Sequence, residues 1–494
     1  MSTLAIRPID ETRLKASKQL DSSRRSQLGQ FMTPTAIADF MVSLLTHWPQ
    51  TVRLLDPGAG VGSLTESFAE RFLASASAGA SLEAHCYEIE PLLQGYLSDH
   101  LREVGSRCKQ RGHHFISTIH NRDFIADASF EIGMGAPRFT HAILNPPYKK
   151  INTDSAHRKM LRQVGIETVN LYTAFLGLAV AMLEEGGEVV AIVPRSFCNG
   201  PYYRPFRAFL LERAAITHIH VFESRTRAFK DDEVLQENII VRLVRSAPQG
   251  AVMVSMSHDQ SFSDHAIREI PFAEIVKPGD PERFIHVPAE PVGEPSPHFS
   301  HTLEDLGIEV STGPVVDFRL RDHWLAEPKD QHVPLLYTHH FRGGRFTWPV
   351  EHKKPNALRL NDYTRKWLMP RGCYVLTKRF SAKEERRRVV AYVIEPRQLE
   401  HKHYGFENHL NVFHHNKQGL PSDLAHGLGL FLNSTIVDRY FRNFSGHTQV
   451  NATDLRAMRY PPREALIQFG KWARAQQSLS QEEIDRYIES GNAG

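Results

Sequence analysis

Four consecutive residues, Asn145-Pro146-Pro147-Tyr148, bring together groups suited to one chemistry. They follow a strand-like apolar run, Thr140-His141-Ala142-Ile143-Leu144, and open a polar loop at Lys149-Lys150. The Pro-Pro step fixes the backbone where it leaves the strand, so the carbonyls before and between the prolines have set directions. Asn145 adds an amide oxygen that accepts a hydrogen bond, and Tyr148 adds a flat face and a hydroxyl. Together they can hold a planar group bearing an NH2, with two acceptors for its N–H bonds and a ring to stack on. An amine conjugated to a ring is a poor nucleophile because its lone pair is delocalised. Two acceptors on its hydrogens favour the pyramidal form, whose lone pair can attack. Positive charge appears only as the bond forms, so no general base of tuned pKa is required. By themselves these residues also describe a Pro-rich turn with a packing tyrosine.

The elements upstream give the motif its context. The stretch Val52-Arg53-Leu54-Leu55-Asp56-Pro57-Gly58-Ala59-Gly60-Val61-Gly62-Ser63 predicts a strand into Asp56, a glycine turn, and a helix from about Ser63 carrying Leu64, Phe68 and Phe72. Glycines let the backbone approach a ligand, and a helix N-terminus favours an anionic group. The spacing Gly-x-Gly-x-Gly behind an acidic residue suits a ligand with an ammonium, such as the amino-acid end of S-adenosyl-L-methionine, rather than a pyrophosphate. A second strand, Ala84-His85-Cys86-Tyr87, runs into Glu88, where a carboxylate is placed for ribose hydroxyls. A third, Ile116-Ser117-Thr118-Ile119, leads to Asp123 and Phe124, a carboxylate placed for an adenine amino group and a ring to cover the base. Ahead of the glycine turn, Ile37, Phe40, Met41, Leu44 and Leu45 recur at helical spacing. Thr33 or Thr35 is placed to cap that helix, with Pro34 in its first turn. Residues 1–30 are polar and basic. They read either as a solvated helix and arm, or as an arm on a phosphate backbone or over a cofactor.

In this order, the chain resembles the gamma-type N6-adenine DNA methyltransferases of restriction–modification systems. The resemblance rests on residues 29–34 and 56–62, Glu88, Asp123 and Asn145-Pro146-Pro147-Tyr148, and continues through Asn170-Leu171-Tyr172-Thr173-Ala174-Phe175 and the strand ending at Pro194. It implies that Phe31, Thr33 and Pro34 line the methionine end of S-adenosyl-L-methionine. Asp56, Pro57, Gly58 and Gly60 would form the main cofactor turn. Glu88 would take the ribose, and Asp123 with Phe124 the adenine. Asn145 and the Pro146 carbonyl would hold the target amine, with Tyr148 stacking on a flipped adenine. Phe229, or as second choice Phe222, would supply the other aromatic wall; for either, a core phenylalanine is an equal reading.

The implied architecture is α/β: a doubly wound, mostly parallel, seven-stranded-type methyltransferase sheet over residues 1–245, then a mixed α+β DNA target-recognition domain over residues 246–494. A net charge of +3 confines any nucleic-acid footprint to local patches. Arg342, Arg345, Lys378 and Arg379, set among aromatics and glycines, are candidates for guanine edges or phosphates. Gln449 and Asn451 lie in a polar loop that either approaches DNA or is simply capped by Thr453. The charged run 383–388 reads as a phosphate contact in this setting.

Four dispersed cysteines with no CxxC pair argue against a zinc site and a disulfide framework and fit a reducing, cytoplasmic setting. His339-His340 and His414-His415 read as loop polarity, so no metal is expected. No apolar run of about 18 residues is present to span a bilayer. The expected partner is double-stranded DNA, with any restriction endonuclease on a separate chain. Two readings stay beside this one: a methyltransferase of the same core acting on RNA or on protein glutamine, and a catalytically weak DNA-binding modification subunit.

Overall fold

Runs that are apolar at every position, such as 189–193, form strands buried on both faces. In the computed structural model nine strands make one sheet: β1 (Thr51–Pro57), β2 (Ser81–Tyr87), β3 (His114–His120), β4 (Phe139–Leu144), β5 (Leu183–Pro194), β6 (Ala214–Phe222), β7 (Asn238–Arg245), β8 (Val252–Ser257) and β9 (Ala266–Ile270). Their spatial order is β3-β2-β1-β4-β5-β7-β6-β8-β9. Neighbours from β3 to β5 are parallel. β7 is antiparallel to both β5 and β6.

The structure describes residues 7–20, 32–135, 138–222, 237–257, 262, 265–287, 299–325, 332–342, 345–381, 385–444, 449–476 and 478–490. Two compact units divide the chain, Met1–Ala289 and Glu290–Gly494.

The first unit is helix, sheet, helix. Its helices are α1 (Pro8–Gln19), α2 (Thr35–Ser43), α3 (Ser63–Ser75), α4 (Pro91–Gln110), α5 (Phe124–Gly133), α6 (Ala156–Gln163), α7 (Leu171–Met182) and α8 (Arg204–Arg213). Strand side chains alternate between two cores, as the pleat dictates. Leu54, Ile143, Val190, Ile192 and Ile240 meet α2, α3 and α4 on one face. Leu55, Leu144, Val189, Ala191 and Val241 meet α5, α7 and α8 on the other. The sheet therefore exceeds the seven strands expected: β8 joins β6 in parallel and β9 closes the edge. Both lie past residue 245, so the expected boundary falls inside the first unit, and Phe284, Ile285 and Val287 are buried in it as well. These strands are short, and β9 is largely exposed, so neither has the continuous apolar run that marks the central strands.

α1 is packed rather than solvated. Ile9, Ala16 and Leu20 cluster with Val61 of the glycine turn and Leu93 of α4. It also starts α2: neither Thr33 nor Thr35 caps that helix through its side chain, and the Thr35 N–H donates to Asp10 Oδ1 at 3.2 Å.

The second unit holds a four-stranded antiparallel sheet (Glu309–Thr312, Leu410–His414, Tyr374–Lys378 and Ala391–Ile394) and a five-stranded sheet around His332–Leu336. Helices Ser422–Leu432 and Arg463–Ala475 cross at Gly427 and Gly470. A Cβ on either glycine would lie 1.7 Å from the other helix's backbone, so the close crossing requires both. His340 and His414 are buried rather than loop polarity: His340 Nδ1 accepts from the Tyr337 N–H at 3.0 Å, and His414 lies on a strand.

Candidate active site

Parallel register puts Pro57 opposite Tyr87, and Tyr87 opposite His120. The loops leaving β1, β2 and β3 therefore emerge side by side at the carboxyl edge of the sheet, where open α/β sheets bind ligands. Gly58, Gly60 and Gly62 take φ of +84°, +59° and +95°, the left-handed region that favours glycine. The Gly58 and Ala59 N–H groups each donate to the Tyr87 carbonyl at 2.9 Å, locking the turn onto β2.

Glu88 braces this turn. It is 2% exposed; its Oε2 accepts from the Gly60 N–H at 2.9 Å and its Oε1 from the Glu90 N–H at 2.8 Å. Asp56 lies beneath the turn, fully buried, and is not among the residues lining the adjoining cavity. Its Oδ2 accepts from Thr65 Oγ1 at 2.6 Å, whereas Oδ1 is buried without a protein partner. Burial pushes its pKa up to about 7, opposed by the Thr65 hydrogen bond and aided by the nearby Glu88 carboxylate. A cationic group reaching Oδ1 would satisfy that oxygen and hold the carboxylate ionised.

Asp123 is the N-cap of α5, its Oδ1 accepting from the Ala126 N–H at 2.9 Å. His157 of α6 sits 3.0 Å from Oδ2. Burial pushes the Asp123 carboxyl up, but the His157 and Ala126 hydrogen bonds outweigh it and leave the pKa lowered. The hydrogen bond to Asp123 raises the His157 pKa in turn, against its own burial. Phe124, 3% exposed, packs edge-on to Tyr87 and against Phe175.

Asn145 stands where β4 ends. Its Nδ2 donates to Thr33 Oγ1 at 3.0 Å, and its Oδ1 accepts from the Tyr148 hydroxyl at 3.2 Å. An amide oxygen has two lone pairs, so Oδ1 can take a second donor. The Tyr148 ring rests edge-on to Tyr172, centroids 6.1 Å apart and planes at 80°. Tyr148 and Thr33 thus fix the amide from two sides, a role for Thr33 that its place in the sequence does not reveal.

One cavity of about 240 Å³ joins these groups. Of the expected residues, Thr33, Gly58, Gly60, Glu88, Asp123, Phe124, Asn145 and Pro147 line it; Pro34, Asp56, Pro57, Pro146 and Tyr148 do not. Met32, Lys149, His157 and Phe175 line it too. Met32 and Phe175 lie inside stretches the motifs already mark. His157 carries no signal in its spacing, because only the fold brings it to Asp123. Phe31 and Phe229 lie outside the described residues. Phe222 is 3% exposed and packs in the core beside His220, which removes it as a base wall.

In the second unit, Lys378 pairs with Glu385 at 2.8 Å and Arg379 donates to the Asn408 carbonyl at 3.2 Å. Arg345 is exposed, on a two-strand ribbon opposite Arg342. Gln449 bridges to Phe380. Asn451, rather than Thr453, holds the N-cap of the helix Ala452–Ala457, its N–H donating to Asp454 Oδ2 at 2.9 Å. Of the run 383–388, Arg388 is fully buried and Arg387 is tied to the Asn433 carbonyl, so these two are structural rather than phosphate contacts.

Residues 94–229 match the family described as Eco57I restriction-modification methylase. Over nearly its whole length the chain is similar to the type II methyltransferase M.BsuBI of Bacillus subtilis, at 46% identity over 99% of this chain and 98% of that one. It belongs to the gamma-class type II methyltransferases of restriction–modification systems. M.PstI of Providencia stuartii, also a type II methyltransferase, is 44% identical over 93% of this chain and 92% of its own. This methyltransferase shares its fold with the DrdV–DNA complex, at TM-score 0.53 and 14% identity, covering 95% of this chain and 60% of that one. Among its described residues no helix is long and apolar enough to cross a membrane, and no group of three potential metal ligands occurs.

Proposed function

We propose that this methyltransferase transfers a methyl group from S-adenosyl-L-methionine to the exocyclic N6 of adenine at a specific site in double-stranded DNA. The observation that carries this reading is Asn145. Its amide is fixed by Thr33 and Tyr148 at the wall of the same cavity that Glu88, Asp123 and the glycine turn line.

The residues fit the cofactor. On the cavity wall Glu88 matches hydroxyls, and Asp123 with Phe124 matches an amino-bearing ring; beneath the glycine turn, off that wall, the unpartnered Oδ1 of Asp56 matches a cation that reaches past the turn. When bound, the sulfonium supplies an electrophilic methyl group. The target adenine cannot meet it inside a duplex and must rotate out of the stack. Asn145 Oδ1 and the Pro146 carbonyl then accept its two N–H bonds, which localises the lone pair on nitrogen. Tyr148 offers a ring to the base and a hydroxyl to the amide, with Phe229 as the proposed opposite wall. Holding acceptor and donor in line supplies much of the rate. The second unit is the proposed target-recognition domain, and any cognate endonuclease belongs to another chain.

The test is expression in a host without DNA methylation, followed by long-read mapping of modified bases. N6-methyladenine at one short motif is expected. An unmodified genome alongside a folded, cofactor-binding protein would overturn the reading. Asn145→Ala should abolish transfer while leaving duplex binding in place; surviving transfer would refute the catalytic assignment.

A further inference from the structure

The exposed large hydrophobic side chains of the second unit, among the described residues, are all aromatic: Phe318, Tyr363, Trp367 and Phe380, at 58%, 51%, 38% and 41% exposure. Three of them carry a cation on the ring. Lys366 Nζ lies 4.2 Å from the Tyr363 centroid and 5.4 Å from that of Trp367, and the Arg319 guanidinium lies 5.8 Å from that of Phe318. Arg321 lies 5.7 Å from Trp324 in the same way.

The segment Asp317–His323, kinked at Leu320, and the four-residue helix Asp362–Arg365 adjoin at His323, whose ring lies 5.4 Å from Tyr363 and whose Nδ1 lies 3.2 Å from Asn361 Nδ2. Arg319, Arg321, Arg365 and Lys366 are exposed, and among the described residues none pairs with a carboxylate. Asp322 and Asp362, the exposed acids on these segments, leave the patch with an excess of positive charge. By contrast Lys378, which the sequence suggests for DNA, is spoken for by Glu385.

We infer that the exposed groups of these two adjoining segments, Phe318, Arg319, Arg321, Tyr363, Lys366 and Trp367, together form a duplex-DNA contact surface of the second unit, the cations meeting backbone phosphates and the rings packing on sugars. This rests on the proposed action on DNA and adds where the DNA is held. Unpaired guanidinium and ammonium groups gain by releasing counterions from a phosphate backbone. Aromatic rings that already carry a cation give that contact a flat apolar platform. A lipid surface or an acidic protein would share part of this chemistry, but the chain belongs to the restriction–modification methyltransferases.

The test uses the full-length protein and a fluorescent duplex of mixed sequence, with affinity measured against salt concentration. The variant R319Q/R321Q/K366Q should bind about tenfold more weakly or worse, with the slope of log affinity against log salt reduced by roughly 2 to 3. Lys366→Arg, which keeps the charge, should keep the slope. The thermal midpoint and S-adenosyl-L-methionine affinity of the triple variant serve as the fold control. Equal affinity and equal slope in wild type and triple variant would overturn the inference alone. A wild-type protein that binds no duplex would instead overturn the proposed function.

Discussion

Thr33→Val tests how the amide of Asn145, the proposed catalytic group, is held. The substitution preserves shape and replaces the hydroxyl that accepts from Asn145 Nδ2 at 3.0 Å with a methyl group. Thr33 is 4% exposed, so water cannot readily take the place of the lost acceptor. Removing one partner of a buried hydrogen bond costs about 1 to 3 kcal/mol. If the cost falls on the oriented amide in the transition state, kcat drops roughly 5- to 150-fold, since 1.36 kcal/mol is a factor of ten. Cofactor affinity should stay within about twofold, because this hydroxyl acts on Asn145 rather than on the ligand. Single-turnover transfer of a labelled methyl group to duplex DNA, beside cofactor titration by calorimetry, separates the two effects. Thr33→Ser should restore most of the rate. An unchanged kcat, or a loss of cofactor affinity that accounts for the whole defect, would refute the reasoning and return Thr33 to a cofactor-contact role.

Further outcomes follow from buried charges and close backbone contacts. With the Asp56 pKa pushed up to about 7, the ligand-free carboxyl takes up its proton as pH falls through that value, so cofactor affinity should rise as pH climbs through about 7. The same raised pKa gives the ligand-free fold a stability contribution that is full below the ordinary carboxylate range and lost as pH rises through about 7. Asp56→Asn should flatten both profiles, and binding and melting curves from pH 5 to about 9 would check this. Glu188, 2% exposed, accepts from Arg242 and from both the N–H and the hydroxyl of Thr46. Arg242→Met would leave that carboxylate without its cation at a cost of about 3 to 5 kcal/mol, read as a lower urea midpoint. Gly470→Ala would drive a methyl group to 1.7 Å from the Asp423 carbonyl oxygen and should unfold or aggregate the second unit; a melting midpoint equal to wild type would contradict the tight crossing.

Much of the first unit is legible in contiguous residues. Strands buried on both faces appear as unbroken apolar runs, and a turn requiring left-handed backbone appears as Gly58, Gly60 and Gly62. The order of these pieces already predicts which loops share the carboxyl edge of a parallel sheet, and the cavity lined by Glu88, Asp123, Phe124 and Asn145 lies there. What the chain order cannot convey is the partner of a polar side chain. Asp56 sits under its turn with its carboxylate hydrogen-bonded by Thr65, in the first turn of α3, and His157 reaches Asp123 only after α6 has packed. Lys378 and Arg388 carry the charge expected of a DNA contact, yet one is paired and the other buried, whereas Arg319, Arg321 and Lys366 are left without an acidic partner among the described residues. Local backbone chemistry is fixed by neighbours in sequence and so can be read from it. Which charges are neutralised and which face outward depends on segments far apart in the chain, and only the tertiary structure decides it.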